Sequence, residues 1–305
     1  MPPGDRSPHG GAARGLTARD WAAALAVVLI WAVNFIVGKT GVMQLPALLM
    51  MGMRFALVAL LLAPFLRRPL GRWPLVVAIS VVLGGMHFGM MFAGLHGVDA
   101  GPAAIAIQLT VPFSALLALV FYRERLGWWQ LAGMAVAFAG VYLLAGDPAR
   151  QPSLPHFLMV VCAAFAWAVA NVLIKRLGRV DVFALNAWVA LLACPQLLLA
   201  SLVFESGQRA ALEAADWRAW GAILYMAIGA SIIAYGLWYS LIARYEMNRV
   251  VPLTLLSPVL AVALAVPMLG EALTDHVLIG GAVTLLGVAM IQFLRPRLPE
   301  PPLPS

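Results

Sequence analysis

Apolar stretches of about twenty residues recur along the whole chain, separated by short polar segments. A helix needs roughly 20 apolar residues to cross a hydrocarbon core about 30 Å thick. Ten such stretches lie at residues 21–38, 47–66, 74–95, 101–122, 127–146, 155–174, 182–204, 220–243, 250–270 and 276–294. Nine contain no Asp, Glu, Lys or Arg, and the second contains Arg54. The pattern predicts an all-α membrane protein with ten transmembrane helices.

The composition leaves little room for a water-soluble alternative. Of the 305 residues, 63% are hydrophobic and 11% are charged, whereas a soluble domain carries about 25% charged residues. The two cysteines, Cys162 and Cys194, lie inside apolar stretches, which indicates small core residues and neither a disulfide nor a metal site. No cofactor is expected. The polar ends, residues 1–20 and 295–305, are predicted to be disordered.

The basic residues orient the predicted helices. With the N-terminus inside and the connecting segments assigned alternately to the two sides, 15 Lys and Arg residues fall inside and 4 outside. Loops that face the cytoplasm carry an excess of Lys and Arg. The alternation predicts a multi-pass protein of the cell inner membrane with both termini cytoplasmic. It also explains the net charge of +7 without a nucleic-acid partner.

The two halves of the chain repeat one pattern. Trp31, Ala32, Val33 and Lys39 recur 136 residues later as Trp167, Ala168, Val169 and Lys175. Glu124, Leu126, Gly133, Gly140 and Val141 recur 147 residues later as Glu271, Leu273, Gly280, Gly287 and Val288. The repeats are placed at 21–146 and 155–294, joined by a linker at 147–154. Because each holds five spans, an odd number, the second is predicted to be inverted. Inverted repeats are typical of transporters with a binding site near the membrane midplane.

Several motifs carry a resemblance to a known family. They are 31–35 (WAVNF) with Lys39, 52–55 (GMRF), 100–101 with Gln108, 124–126 (ERL), 235–238 (YGLW), 244–246 (RYE) and 249–253 (RVVPL) with Pro258. Over nearly its whole length the chain resembles the EamA family of the drug/metabolite transporter superfamily, and within it the exporters of cysteine and O-acetylserine. One departure is Ala272, where the family often has Arg or Lys after the glutamate.

The resemblance implies export of small metabolites by alternating access, with amino acids such as cysteine or O-acetylserine as the first hypothesis. Efflux of aromatic amino acids, purines or xenobiotics is the alternative. The implied partners are a small-molecule substrate and membrane lipids. One chain with two repeats can form a complete pathway, and a dimer is left open. A membrane enzyme is disfavoured because no catalytic acids or histidines cluster at one membrane face.

Candidate substrate-binding residues are the polar and aromatic side chains within the predicted spans. They are Asn34, Phe35, Arg54, His87, Gln108, Asn171, Tyr235, Trp238, Tyr239 and Thr254. A polar side chain facing lipid is costly, so these should face the bundle interior. Each polar residue also fits an interhelical hydrogen bond with no other role. Tyr235, Trp238 and Tyr239 share a helix face by their spacing, which fits a cavity wall or core packing.

Arg54 and His87 each have a more specific candidate role as well as a structural alternative. Arg54 is able to clamp a substrate carboxylate in bidentate fashion. It also fits an ion pair with Asp99, or a side chain that snorkels outward, and the structural role is favoured. His87 is able to carry a coupling proton, because its ordinary pKa lies near neutrality, although a lone histidine is more often a packing residue.

Prolines and lysines supply the candidate gate and hinge residues. Pro112 and Pro258 each remove a backbone donor from a predicted helix, and broken membrane helices act as hinges or expose backbone groups to substrate. Lys39 and Lys175 are expected at opposite membrane faces, as interfacial anchors or gates. Glu124 and Glu271 are expected to cap the fifth and tenth helices.

Overall fold

The computed structural model describes residues 16–67, 70–123, 126–149, 152–178, 180–245 and 250–294. All regular structure in those ranges is helical. Within those ranges nine helices are long and apolar enough to span a membrane, and a further apolar helix is shorter. The helices are α1 (Ala18–Val42), α2 (Ala47–Leu61), α3 (Trp73–Gly97), α4 (Ala100–Tyr122), α5 (Trp128–Ala145), α6 (Leu154–Leu177), α7 (Val182–Phe204), α8 (Trp217–Ile242), α9 (Pro252–Leu269) and α10 (Asp275–Phe293).

Contacts between helix ends define two faces of the bundle. The N-face, where α1 begins, brings together Asp20, Arg72, Arg176 and Tyr245, through hydrogen bonds of Arg72 to Arg176 O and of Tyr245 to Asp20. The distal face, where α1 ends, carries Lys39, Glu205, Asp216 and Glu271. Successive helices run in alternate directions between these faces. A short helix, Gln208–Ala214, precedes α8.

The first helix begins earlier than predicted. The Thr17 side chain caps Asp20 N, and the Asp20 carboxylate accepts hydrogen bonds from Thr17 in return. This capping box, with an acid in the first turn, stabilises a helix start. Ala18 to Asp20 are therefore helical, which corrects the predicted disorder at that end of segment 1–20. Residues 1–15 and 295–305 lie outside the described part of the chain.

Helices α5 and α10 pack along a seam of glycines. A Cβ placed on Gly133 would meet Gly287 O at 2.7 Å, and one on Gly280 would meet Gly140 O at 2.9 Å. Thr284 presses on Gly140 in the same way. Helices in a membrane associate by close packing of small residues, because lipid provides no hydrophobic drive between them. The seam therefore joins the two halves of the chain at backbone distance.

Four helices depart from regular α geometry. Helix α3 is π-helical at Ser80–Phe88 and α8 at Tyr225–Ala234. Helix α4 tightens to a 3-10 turn at Ile107–Leu109, and α9 opens with another at Val251–Leu255. Pro112 and Pro258 are each the third residue of the α-helical segment that follows the 3-10 turn. The predicted weak points of the fourth and ninth helices therefore coincide with real distortions.

Long-range carboxylate caps fix the distal face. The Glu205 carboxylate accepts hydrogen bonds from Leu48 N (2.8 Å) and Leu49 N (3.1 Å) at the start of α2. The Glu271 carboxylate accepts from Ala100 N (2.6 Å) and Gly101 N (3.0 Å) at the start of α4. Anions at helix N-termini satisfy free N–H groups and oppose the helix dipole.

The position of Glu271 corrects one expectation. It caps the fourth helix and not the tenth, whose start is capped by the Thr274 hydroxyl bonded to Val277 N at 3.2 Å. The cause is tertiary, because the loop before α10 passes over the start of α4. Its repeat counterpart Glu124 lies outside the described residues.

We expect Gly140→Leu to destabilise the protein by about 1–3 kcal/mol or more, because the seam has no room for a side chain and overpacking strains both helices. Thermal unfolding in detergent measures the effect as a lower melting temperature. Gly221→Ala is the matched control, since a Cβ there meets open space and alanine favours a helix by about 0.5–1 kcal/mol over glycine. Equal melting temperatures for the two variants would contradict the tight packing of α5 against α10 at Gly140.

We expect Tyr245→Phe to lower the melting temperature by removing the hydrogen bond of 2.5 Å that Tyr245 donates to Asp20 at the N-face. That bond raises the pKa of Tyr245 above its ordinary value. The stabilisation is therefore complete at neutral pH, and the wild-type advantage should narrow as the pH rises beyond about 10. The control Tyr142→Phe alters a ring that is 78% exposed and should leave stability unchanged at every pH.

Candidate functional site

A cavity opens between the two halves of the chain. Residues from α2, α3, α6, α7 and α8 line it: Phe55, Leu83, Phe88, Trp167, Asn171, Ile174, Val182, Leu185, Asn186, Val189, Ser231, Tyr235 and Tyr239. Its empty volume, including the open space at its mouth, is about 680 Å³.

The cavity lies in the half of the bundle nearer the N-face. Asn171 and Ile174 belong to the last two turns of α6, Val182 is the first residue of α7, and Tyr239 belongs to the last turn of α8. The distal half of the bundle is held by the carboxylate caps and by Lys39. The Lys39 Nζ donates to Leu95 O at 2.7 Å. The cavity therefore lies away from the helix ends that these hydrogen bonds fix.

Aromatic rings make up much of the wall, in two groups. Trp167 of α6 packs against Phe88 of α3, with ring centroids 6.3 Å apart. Trp31 of α1 packs against Tyr235 of α8 at 5.9 Å, and Tyr235 stacks on Tyr239 at 5.9 Å. Such pairs are rigid and present apolar faces with few polar atoms. The wall therefore suits the apolar part of a ligand.

Beside the tyrosine hydroxyls and the Trp167 indole N–H, the polar side chains of the wall are Asn171, Asn186 and Ser231. Asn186 Nδ2 donates to Ser231 O at 2.8 Å, and the Ser231 hydroxyl donates to Met226 O at 2.9 Å. Ser231 lies in the π-helical part of α8, where the wider turn leaves carbonyls for side chains to bond. Single π-helical segments often occur at functional sites.

Arg54 lies directly behind this wall. Its side chain is 2% exposed, and Nη2 donates to the Ser231 hydroxyl at 2.9 Å. The guanidinium sits over the Phe88 ring at 4.7 Å and the Phe55 ring at 5.7 Å. Phe55, Phe88 and Ser231 all line the cavity, so Arg54 is separated from it by the thickness of one side chain.

Both structural alternatives for Arg54 are wrong. It forms no ion pair with Asp99, since its polar contacts are with Ser231 and with Met51 Sδ at 3.8 Å. Its burial excludes a side chain that snorkels outward. Arg54 points sideways into the bundle because α8 offers Ser231 at that depth.

His87 supports the wall from behind. Its Nδ1 lies 2.9 Å from Ala163 O, and because a carbonyl only accepts, Nδ1 carries the hydrogen. The imidazole packs edge-on against Trp167 at 4.4 Å and Phe88 at 4.6 Å. In this structure His87 is a positioning residue for two rings of the cavity. It does not line the cavity itself.

The structure divides the remaining predicted residues. Asn171, Tyr235 and Tyr239 line the cavity. Trp238 turns away and packs on Trp31 at 5.5 Å, although it shares a helix with the two tyrosines. The others that do not line the cavity are Asn34, Phe35, Gln108 and Thr254. Asn34 Oδ1 is buried without a hydrogen-bond partner.

The predicted gate residues lie outside the cavity. Lys39 caps the distal end of α3 by bonding to Leu95 O and, at 2.9 Å, to Val98 O. Lys175 Nζ lies 3.8 Å from the centre of the Tyr122 ring. Pro112 and Pro258 mark the distorted starts of helical segments in α4 and α9.

Some cavity residues were missed from the sequence. Asn186 and Ser231 are polar residues inside apolar stretches, so the argument applied to Asn34 would have found them. Trp167 was noted as part of the repeat but not as a wall residue. In the described part of the chain, His, Cys, Asp and Glu side chains form no group of three or more that could hold a metal ion.

Comparison with known proteins gives a consistent result. The sequence model of the EamA-like transporter family matches residues 21–146 and 154–293. The probable amino-acid metabolite efflux pump of Salmonella typhimurium is 34% identical, over 90% of this chain and 94% of that protein. The probable terminal-alkyne amino-acid exporter of Streptantibioticus cattleyicolor is 30% identical, over 89% of this chain and 92% of that protein.

A solved crystal structure of a protein with 22% sequence identity shares the fold. Its TM-score is 0.62, and the match covers 91% of this chain and 98% of that one. The family model matches both halves of the chain. The apolar helices, the cavity between the halves and the names of the relatives are consistent with a membrane transporter. This multi-pass membrane protein belongs to the EamA-like transporter family.

Proposed function

We propose that this protein exports amino acids and related small metabolites across the inner membrane by alternating access. Its ten helices act as two inverted five-helix repeats. The observation that carries the proposal is the cavity between the two halves, which lies nearer the N-face than the distal face. The names of the relatives, which include amino-acid metabolite efflux and terminal-alkyne amino-acid export, support the substrate class.

Pairs of contacts support the inverted repeat. With an offset of 147, the contact Gly133–Gly287 maps onto Gly280–Gly140, and both occur in the seam. Thr284, which presses on Gly140, is likewise the counterpart of Ala137, which presses on Gly287. A two-fold relation between the halves produces such reciprocal pairs.

The aromatic wall repeats the same symmetry. Trp31 and Trp167 correspond at an offset of 136, and Phe88 and Tyr235 at 147. The contact Trp167–Phe88 therefore corresponds to Trp31–Tyr235, and each joins opposite halves. The π-helical segments occupy matching places in α3 and α8. Symmetric halves of this kind are able to exchange which side is open.

The distribution of basic residues supports an N-face that lies in the cytoplasm. In that orientation the described structure receives substrate from the cytoplasm, as an exporter must. One chain contributes every residue of the cavity, so a monomer is sufficient. Lys39 and the proline-marked segments of α4 and α9 are proposed as the parts that rearrange when the distal face opens, with Lys175 as the corresponding N-face residue.

We assign direct substrate contact to Asn171, Tyr235 and Tyr239. Arg54 contacts substrate only when the wall in front of it moves. For the other predicted residues, contact with substrate requires a conformation different from the one described: Asn34, Phe35, His87, Gln108, Trp238 and Thr254.

Two substrate groups are proposed within the amino acids. Cysteine and O-acetylserine follow from the motifs at 235–238 and 244–246. Amino acids with a large apolar or aromatic side chain follow from the wall itself, which is formed by Phe88, Trp167 and Tyr235 with a few polar atoms. The same transport assay decides between them.

Uptake into inside-out vesicles tests the function and the site together. Radiolabelled cysteine, O-acetylserine and aromatic amino acids are offered with and without a pH gradient, and we expect protein-dependent uptake of at least one. Asn171→Ala should raise the half-saturating concentration roughly 2- to 10-fold, the effect of losing one hydrogen bond. Asn34→Ala is the matched comparison and should raise the half-saturating concentration less, because Asn34 does not line the cavity in the described conformation.

If Asn171→Ala and Asn34→Ala weakened uptake equally, the cavity would not be the site of substrate binding. Uptake of no amino acid, in the presence of normally folded protein, would favour purine or xenobiotic efflux instead.

A further inference from the structure

Arg54 carries the one formal charge found within the ten apolar stretches. A guanidinium stays protonated at any ordinary pH. Its described contacts are a hydroxyl, a thioether and the faces of Phe55, Phe88 and Phe92, and its Nε has no hydrogen-bond partner although it is buried. The bundle therefore holds an uncompensated positive charge.

Neutral partners do not remove the cost of burying such a charge. Ring faces and one hydroxyl stabilise a cation in part, but an ion in a low-dielectric interior is offset well only by an opposite charge with good hydrogen-bond geometry. The described residues supply no carboxylate to Arg54. An anion that enters the bundle would make bonds that the protein itself leaves open.

The cavity provides the route by which such an anion reaches Arg54. Ser231 and Phe88 separate it from the guanidinium, and both touch Arg54. A rotation of the Phe88 ring or of the Ser231 hydroxyl exposes Nη2 together with the free Nε. These two donors lie on one edge of the guanidinium, which is the geometry that binds a carboxylate in bidentate fashion.

The cavity offers no comparable partner to an ammonium group. Among the described residues that line it, the side chains with polar atoms are Trp167, Asn171, Asn186, Ser231, Tyr235 and Tyr239, and none is acidic. Asn186 already uses its Nδ2 on Ser231 O. An α-ammonium therefore meets neutral amide and hydroxyl oxygens and ring faces but no carboxylate, while the site as a whole is cationic.

We infer that this site selects its substrate by the carboxylate and by an apolar side chain, and does not require the α-ammonium. Monocarboxylates in which the amino group is acylated or replaced by a carbonyl are then ligands at least as good as the amino acid. This inference rests on the proposed function for the location of the site, and it concerns which part of the substrate is recognised.

A panel built on one side chain tests it. The purified protein is titrated with phenylalanine, N-acetylphenylalanine, phenylpyruvate, phenylalanine methyl ester and phenethylamine, with thermal stabilisation in detergent as the readout. The same compounds compete against labelled amino-acid uptake in inside-out vesicles. We expect N-acetylphenylalanine and phenylpyruvate to act at concentrations similar to or lower than phenylalanine. The ester and the amine should be roughly 10-fold weaker or worse, because they cannot form the charge-assisted pair.

Variants locate the effect. Arg54→Gln should remove the preference for carboxylates, and Arg54→Lys should keep part of it, since an ammonium binds a carboxylate without the bidentate fork. Arg209→Gln, on a side chain that is 93% exposed and paired with Glu213, removes the same charge from the chain and should change nothing. If Arg54→Gln fails to fold, the relative affinities of the five compounds for the wild-type protein still test the inference.

Two results would overturn the inference. The first is binding of the ester and the amine as tightly as phenylalanine while the two ammonium-free acids fail. The second is stabilisation by chloride that no carboxylate exceeds, which would assign Arg54 to an inorganic counter-ion. Failure of the proposed function looks different, because the carboxylates would bind and yet no amino acid would be transported.

Discussion

The interior of a bilayer contains no water to hydrogen-bond a polar group, and every buried donor or acceptor must find its partner inside the protein. That requirement explains why the described chain is helical throughout. It also explains the helix starts. Glu205 and Glu271 reach across the bundle to the N–H groups of α2 and α4, where a local cap such as Thr274 is not present. Each long-range cap fixes one helix to another while it satisfies the backbone.

The same requirement separates the parts that are held together from the parts that are able to move. The glycine seam between α5 and α10 brings backbones into contact and leaves no space for a shift. The cavity is bounded by α3 and α8, whose π-helical segments already depart from regular hydrogen bonding. Interruptions of this kind are tolerated where they border a cavity or other protein. Motion between the halves is therefore expected at the cavity, with the seam as its fixed axis.

Features set by local sequence were predictable, and features set by distant contacts were not. The apolar stretches predicted the helices. Pro112 and Pro258 marked the segments that follow the 3-10 turns in α4 and α9, because proline removes a hydrogen-bond donor from its own backbone. The π-helical segments contain no proline and have no such local signal. The cap of α4 by Glu271 was assigned to the wrong helix, since the two are 171 residues apart.

The site shows the same division. Sequence reasoning named Asn171, Tyr235 and Tyr239 as candidates, and the structure places these three in the cavity wall. It had no means to separate Asn171 from Asn34, because both are amides late in an equivalent helix. Only the tertiary packing of α6, which lies against α3 and α4, turns Asn171 to the cavity. For Arg54, the sequence suggested an ion pair with a loop acid such as Asp99 as one alternative, whereas its actual neighbour Ser231 is 177 residues away.

Arg54 lies at a position where the two halves of the chain differ. At the offset of 136 that relates the first helices, its counterpart is Ala190, which is fully buried and apolar. Its partner Ser231 corresponds at 147 to Gly84, where a Cβ would press on Ala193. The arginine of the first half and the hydroxyl of the second thus correspond to two small residues, Ala190 and Gly84, at the related positions. Alternating access depends on what the halves share, whereas recognition of a charged substrate depends on where they differ. Under the proposed function, a substitution at Arg54 or Ser231 acts on selectivity, while one in the glycine seam acts on the packing of α5 against α10 that the proposed conformations share.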